Sequence, residues 1–236
     1  DVLHDISFTA RPGETIAFIG STGSGKSTLV NLIPRFYDVT EGRITIDGVD
    51  VRAMSQHDLR ERLGYVPQKG VLFSGTIASN ILYGNPDGSE EEMKEAAQIA
   101  QAEDFIAGKR KQYESPIAQG GSNVSGGQKQ RLSIARAIAK RPDIYIFDDS
   151  FSALDYKTDV ALRNALKKKT KESTVMIVAQ RISTILHAEQ IIVLDDGKIA
   201  GKGTHRELLN NCEEYYQIAS SQLSEKELEE DMKEVE

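Results

Sequence analysis

GSTGSGKS, residues Gly20 to Ser27, decides how this chain is read. Gly20, Gly23 and Gly25, with Ser21, Thr22 and Ser24 between them, let the backbone turn tightly around an anion. A helix beginning near Lys26 adds its leading N–H groups and the positive end of its dipole. Lys26 is then placed to reach the β and γ phosphates of a nucleotide, Ser27 to ligate Mg²⁺ through its hydroxyl, and Thr28 to contact the α phosphate. The flanks agree with a strand, loop and helix. IAFI from Ile16 precedes the loop, and Leu29, Leu32, Ile33 and Phe36 follow it at helical spacing, with Pro34 ending or kinking that helix.

Three more apolar runs resemble IAFI: IYIF from Ile144, VMIVA from Val175 and IIVL from Ile191. Short runs without alternation predict strands buried on both faces, the habit of parallel sheets, and helical patterns lie between them. The fold class is therefore α/β. Two antiparallel additions are expected. One places Ile44 and Ile46 before an Asp47-Gly48 turn, and the other is a hairpin of IIVL, Asp195 to Gly197 and Lys198 to Ala200. The opening DVLHDISF alternates like a strand. From about Gly75 to Arg141 the pattern is mostly helical: Ser89 and Glu92 form a capping box, followed by Met93, Ala96, Ala97 and Ala100 on one face.

The chain of 236 residues is long enough for a substantial core. Its single cysteine, Cys212, allows no internal disulfide and has no assigned role beyond a packed or surface thiol. The net charge of −7 is uneven, because Ser224 to Glu236 holds seven carboxylates against two lysines. That acidic tail reads as a solvated, frayed helix, and the nearly neutral remainder gives no reason to expect nucleic acid. No apolar run approaches the roughly 18 to 20 residues that cross a bilayer. The abrupt start at DVLHDISF, without Met or leader, reads as a domain excised from a longer protein.

Two further motifs complete a pattern. IYIF ends in Asp148 and Asp149, so a buried strand delivers a carboxylate to a Mg²⁺ shell. VSGGQ, Val124 to Gln128, sets a serine and two glycines at the start of a helix with an apolar stripe through Leu132, Ala135 and Ile138, a second anion site. With these three motifs in order, the chain to about Gln222 resembles the nucleotide-binding domains of ABC transporters, in which the signature of one domain closes over ATP held by another. The resemblance implies a P-loop NTPase (RecA-like) core with an antiparallel β subdomain and an inserted helical subdomain. The ATP-binding core would span about 1–74 and 142–222, the helical subdomain about 75–141, and the acidic tail 223–236.

The resemblance also assigns residues. Gln68, after GYVP, matches the glutamine that touches Mg²⁺ and communicates with the membrane domain. MgATP would be held by the P-loop with Gln68 and Asp148, the metal by Ser27, Gln68 and Asp148. SALD, Ser152 to Asp155, matches the loop running across the dimer interface, so Asp155 and the signature residues Ser125, Gly126, Gly127 and Gln128 would act on a partner's ATP. LFSGTIASNILYG, Leu72 to Gly84, is similar to exporter domains, where this surface receives the coupling helices of a transmembrane domain. The same apolar residues also suit an ordinary core.

Three departures stand out. The family's catalytic glutamate is replaced by Asp149, one methylene shorter, which draws the carboxylate back by about 1.5 Å. A misplacement of about 1 Å can lower a rate roughly a hundredfold. The family's histidine after the next strand is replaced by Gln180, in VAQRIST; an amide donates to phosphate but carries no charge. AQGGSN, Ala118 to Asn123, stands where exporters often have a glutamate and an arginine. In the family an aromatic residue stacks on adenine, and here it would precede Asp1, which implies weaker ATP binding by this stretch alone.

The resulting expectation is an exporter domain on the cytoplasmic face of the membrane, with Lys26, Asp149 and Gln180 at the catalytic places. Its own site would bind MgATP and hydrolyse it slowly, while its intact VSGGQ completes the site of a different partner domain bearing the glutamate and the histidine. A plainer reading keeps Asp149 as a working base and Gln180 as a polar strand end. A homodimeric exporter with two slow sites, an importer ATPase and a soluble ABC protein outside transport are the alternatives. The about 100 residues between P-loop and signature leave no room for the long coiled coil of repair members.

Overall fold

The structure, a computed structural model, describes residues 2–233; Asp1 and the last three residues of the acidic tail lie outside the described residues. In chain order, β1 (Thr15–Gly20) leads into α1 (Lys26–Leu32). A hairpin of β2 (Thr45–Ile46) and β3 (Val49–Asp50) and a helix α2 (Gln56–Glu61) follow. Next come β4 (Leu63–Val66), β5 (Gly75–Thr76), α3 (Ile77–Leu82), α4 (Glu90–Ile99), α5 (Glu103–Ala107), β6 (Pro116–Ile117) and α6 (Gly126–Lys140). The chain continues through β7 (Ile144–Asp148), α7 (Tyr156–Lys169), β8 (Thr174–Val178), α8 (Ile182–Ile185), β9 (Gln190–Asp195) and β10 (Lys198–Gly203). Three helices close it: α9 (His205–Asn211), α10 (Glu213–Ser220) and α11 (Glu225–Lys233). The fold is α/β, with parallel strands at its core and antiparallel additions. The residues gather into two compact units, Asp1–Glu61 with Thr174–Glu236, and Arg62–Ser173.

In the first unit β1 lies between β8 and β9, parallel to both, and β10 pairs antiparallel with β9. Ile16, Ala17 and Phe18 of β1 and Ile191 to Leu194 of β9 have no exposed surface, which is why these runs carry no polar alternation. β10 alternates instead, with one face in solvent. Both hairpins turn through residues with positive φ, Asp47 (51°) and Gly48 (81°) in one, Asp196 (43°) and Gly197 (75°) in the other. Two such residues are what a two-residue hairpin matched to strand twist requires. The α1 helix stops at Leu32, two residues before Pro34. Two expectations are corrected here. DVLHDISF is not a strand: its described residues form no ladder, the alternation in burial breaks at His4 and Asp5, both exposed, and the His4 N–H donates to the Gly197 carbonyl at 2.8 Å instead. Phe36 leaves the core stripe, being 45% exposed beneath the Arg60 guanidinium.

The acidic tail is helical, but α11 is more than a solvated strip. Leu228 is buried, and Asp231 accepts from Nε2 of the buried His205, whose Nδ1 meets the Tyr215 hydroxyl at 2.7 Å. Burial pushes the Tyr215 phenol far above its ordinary range, so it stays a neutral donor. His205→Leu leaves that hydroxyl buried and unmatched, and is expected to lower stability by about 1–3 kcal/mol. Adding Tyr215→Phe should restore much of the loss, read as the urea midpoint at constant slope. A double variant no more stable than His205→Leu alone would contradict this account.

In the second unit β4 and β7 run parallel, with Tyr65 opposite Ile146 and Val66 opposite Phe147. All five residues of β7 are buried. The α4 helix begins with the expected Ser89–Glu92 capping box and buries Met93, Ala96, Ala97 and Ala100. The α6 helix buries Leu132, Ala135 and Ile138. Among the described residues no helix is long and apolar enough to cross a membrane.

Candidate functional site

The P-loop belongs to the first unit. Gly20 ends β1 at φ 152°, and a Cβ there would collide with the Leu194 carbonyl oxygen of β9. Gly25 sits at φ 99°, with Leu3 where a side chain would go. Both positions therefore admit only glycine. The Gly197 N–H donates to the Ser24 carbonyl at 3.3 Å, so the β9–β10 turn buttresses the loop from outside. Within it the Lys26 ammonium donates to the carbonyls of Gly20 at 2.8 Å and Ser21 at 2.6 Å, and to the Ser24 hydroxyl at 3.3 Å. Gly25 caps α1 without a side chain, and the first turn holds no acid. The helix therefore sets no carboxylate of its own first turn at its positive end. The register also positions Gln180. Phe18 lies opposite Val178 in parallel strands, so Gly20 and Gln180 emerge at the same end of β1 and β8.

The second unit gathers Gln68, Asp148 and Asp149. Asp148 closes β7, 6% exposed, and accepts from the Tyr65 hydroxyl at 3.2 Å. Burial, and then the neighbouring carboxylate, push the Tyr65 phenol up, keeping it a donor. Asp149, also 6% exposed, has φ 50°, a left-handed conformation that aspartate tolerates better than longer side chains. Its Oδ2 accepts from Gln68 Nε2 at 2.9 Å, and its carbonyl from the Ser152 hydroxyl at 2.9 Å. The Ser150 hydroxyl ties the same turn to the Val66 carbonyl at 2.8 Å.

The signature residues are structural as well. Ser125 caps α6, accepting from the Gln128 N–H at 3.2 Å, while the Gln128 side chain accepts from the Ser125 N–H at 3.2 Å. Asp155 caps α7, and its bonds from the Thr158 hydroxyl and N–H hold its carboxyl below the usual range. Gly126 differs: a methyl added there would meet nothing within 4 Å, so no packing among the described residues calls for glycine.

Sequence reasoning passed over two supports of this unit. The buried Gln130 accepts from the Gly70 N–H at 2.8 Å and donates to the Pro67 carbonyl at 3.1 Å, holding the loop that carries Gln68. Arg136 donates to the Asn80 amide oxygen at 2.8 Å and to the carbonyls of Asn80 and Val71, both at 2.9 Å, and lies over Phe73 and Tyr83. Burial lowers the pKa of this guanidinium. In LFSGTIASNILYG, Leu72, Ile77 and Ile81 are core, whereas Phe73 and Tyr83 are 43% and 63% exposed. A single polar residue within a helix carries no local sign of such roles.

With strand, phosphate-type loop, paired carboxylates and capped signature helix described, the comparisons agree. The family model described as ABC transporter matches residues 3–152, and the chain belongs to that family. An uncharacterised ABC transporter ATP-binding protein of Mycobacterium tuberculosis is 52% identical over 224 residues, covering 94% of this chain and 38% of that protein. A putative multidrug export ATP-binding/permease protein of Staphylococcus aureus is 46% identical over 221 residues, with the same two coverages. The solved structure of a bacterial Atm1-family ABC exporter with ATP bound matches at a TM-score of 0.91 and 41% identity, over 95% of this chain and 40% of that one. The chain thus spans 38% of the length of these curated relatives.

Proposed function

We propose that this chain is the ATP-binding and hydrolysing domain of an ABC exporter, driving a transmembrane domain carried elsewhere in the protein, on the cytoplasmic face of the membrane. The observation that carries the reading is Lys26 drawn onto the oxygens of a P-loop that admits only glycine at Gly20 and Gly25, in a fold close to that of an ATP-bound exporter. Gly20 to Thr28 cradle the phosphates. Ser27, Asp148 and Gln68 hold Mg²⁺, a hard all-oxygen set suited to that ion. With Gln68 Nε2 given to Asp149, its amide oxygen is the atom left for the metal. Bound Mg²⁺ offsets charge on the phosphates and orients them.

The site on this chain is the slow one of an unequal pair. Asp149 is short for a general base, and Gln180 donates to the γ phosphate without carrying charge. Ser125 to Gln128, with Asp155, complete the site of a partner domain that bears the glutamate and the histidine. Gly126, glycine without an internal reason, supports close approach of a ligand from outside the chain. A homodimer with two slow sites is the second reading, favoured by the Asp149 carboxylate that Gln68 holds in place. To decide, the intact polypeptide is purified from membranes with any partner, loaded with labelled ATP and chased. The expected result is about one nucleotide per two domains retained as uncleaved ATP; two nucleotides cleaved at equal rates would overturn the asymmetric reading.

A further inference from the structure

Gln180 follows Ala179, whose N–H donates to the Phe18 carbonyl at 3.0 Å, and two residues later α8 begins. Arg181, at the cap of α8, makes no side-chain capping bond. The segment is instead clasped by a residue far along the chain. Gln222 Nε2 donates to the Gln180 carbonyl at 2.9 Å, and its Oε1 accepts from the Ile182 N–H at 2.8 Å. One side-chain amide thus spans the backbone on both sides of Arg181. An amide suits this, since its NH2 donates and its oxygen accepts, whereas a carboxylate accepts without donating and an ammonium donates without accepting.

Gln222 is itself firmly based. Its N–H donates to the Ala219 carbonyl at 3.0 Å at the end of α10, and Tyr215 and Ala219 of that helix have no exposed surface. Its register therefore follows from a helix anchored by two buried residues. We propose that Gln222 is a positioning residue, which holds the backbone of Gln180 so that its amide meets the γ phosphate of ATP. This rests on the reading of Gln180 as a γ-phosphate donor. The clasp also links the C-terminal helices to the segment after β8, since Ser224, two residues beyond Gln222, caps α11.

The test uses the full-length polypeptide, with Gln222→Ala, Gln222→Glu, Gln180→Ala and the Gln180→Ala/Gln222→Ala pair. Three quantities are read: Mg-ATP affinity, Mg-ADP affinity and amide hydrogen exchange across residues 180–185. Gln222→Ala is expected to speed exchange at Ile182 and to narrow the preference for ATP over ADP about three- to tenfold, the effect of one hydrogen bond. Gln222→Glu, which keeps the acceptor and loses the donor, should fall between. The pair should narrow it no further than Gln180→Ala alone, because both act through one contact. If Gln180→Ala narrows the preference and Gln222→Ala does not, or if Gln222→Ala weakens ATP and ADP equally, the positioning role is overturned. If Gln180→Ala itself leaves the preference unchanged, the γ-phosphate reading of Gln180 falls, and the inference with it.

Discussion

Lys26→Ala is expected to lower the affinity of this domain for MgATP at least about a hundredfold, the equivalent of two charge-assisted hydrogen bonds at about 1.5 kcal/mol each. The ammonium is the only cationic side chain between Gly20 and Thr28, and it is tied to the Gly20 and Ser21 carbonyls and the Ser24 hydroxyl. Its removal has two effects. The phosphates lose their one full positive charge within the loop, and two carbonyls lose the donor that draws them together. Calorimetric titration of MgATP measures the result. Binding within threefold of the unsubstituted domain would refute the assignment of this loop to phosphate. Lys26→Arg should not rescue, since a planar fork cannot bring a compact charge onto the same three oxygens.

The second large effect concerns which carboxylate works. In the intact transporter, Asp149→Asn is expected to change steady-state ATP turnover by less than about threefold, whereas replacing the partner's glutamate by glutamine should lower it at least about a hundredfold, the lower end of the range for loss of a general base. The aspartate substitution is a clean one. Asparagine accepts the left-handed backbone at φ 50° as readily as aspartate does, and its amide oxygen still accepts from Gln68. Lost turnover therefore reports chemistry rather than folding. Turnover abolished by Asp149→Asn, or surviving the partner's substitution, would show that this domain's own site carries the hydrolysis.

Much of the framework was legible because its signals are local. Asp47-Gly48 and Asp196-Gly197 announce hairpins through residues that accept positive φ, and Ser89 with Glu92 announces a helix start through bonds made within one turn. The unalternating runs of β1, β7, β8 and β9 announce strands covered on both faces. DVLHDISF shows where such reading stops. From Asp5 to Phe8 its residues alternate in burial, but a strand also needs a partner edge, and the segment runs past the Gly197 turn instead of along one. Phe36 has the right spacing for α1, yet the helix stops before Pro34 and releases it toward Arg60.

By itself the sequence determined the P-loop, the four buried strands and the two hairpins, and the two substitutions, Asp149 and Gln180, that shape the proposed division of work. These are properties of neighbouring residues: a glycine's backbone freedom, a cap, an apolar run, the length of one side chain. Only the tertiary structure decided what holds those groups in place. Gln130 reaches its partner across 60 residues, Arg136 across 56 and Gln222 across 42. A polar side chain acquires such a role only when packing brings a distant backbone group within hydrogen-bonding distance, and nothing in the residues beside it records which group that will be.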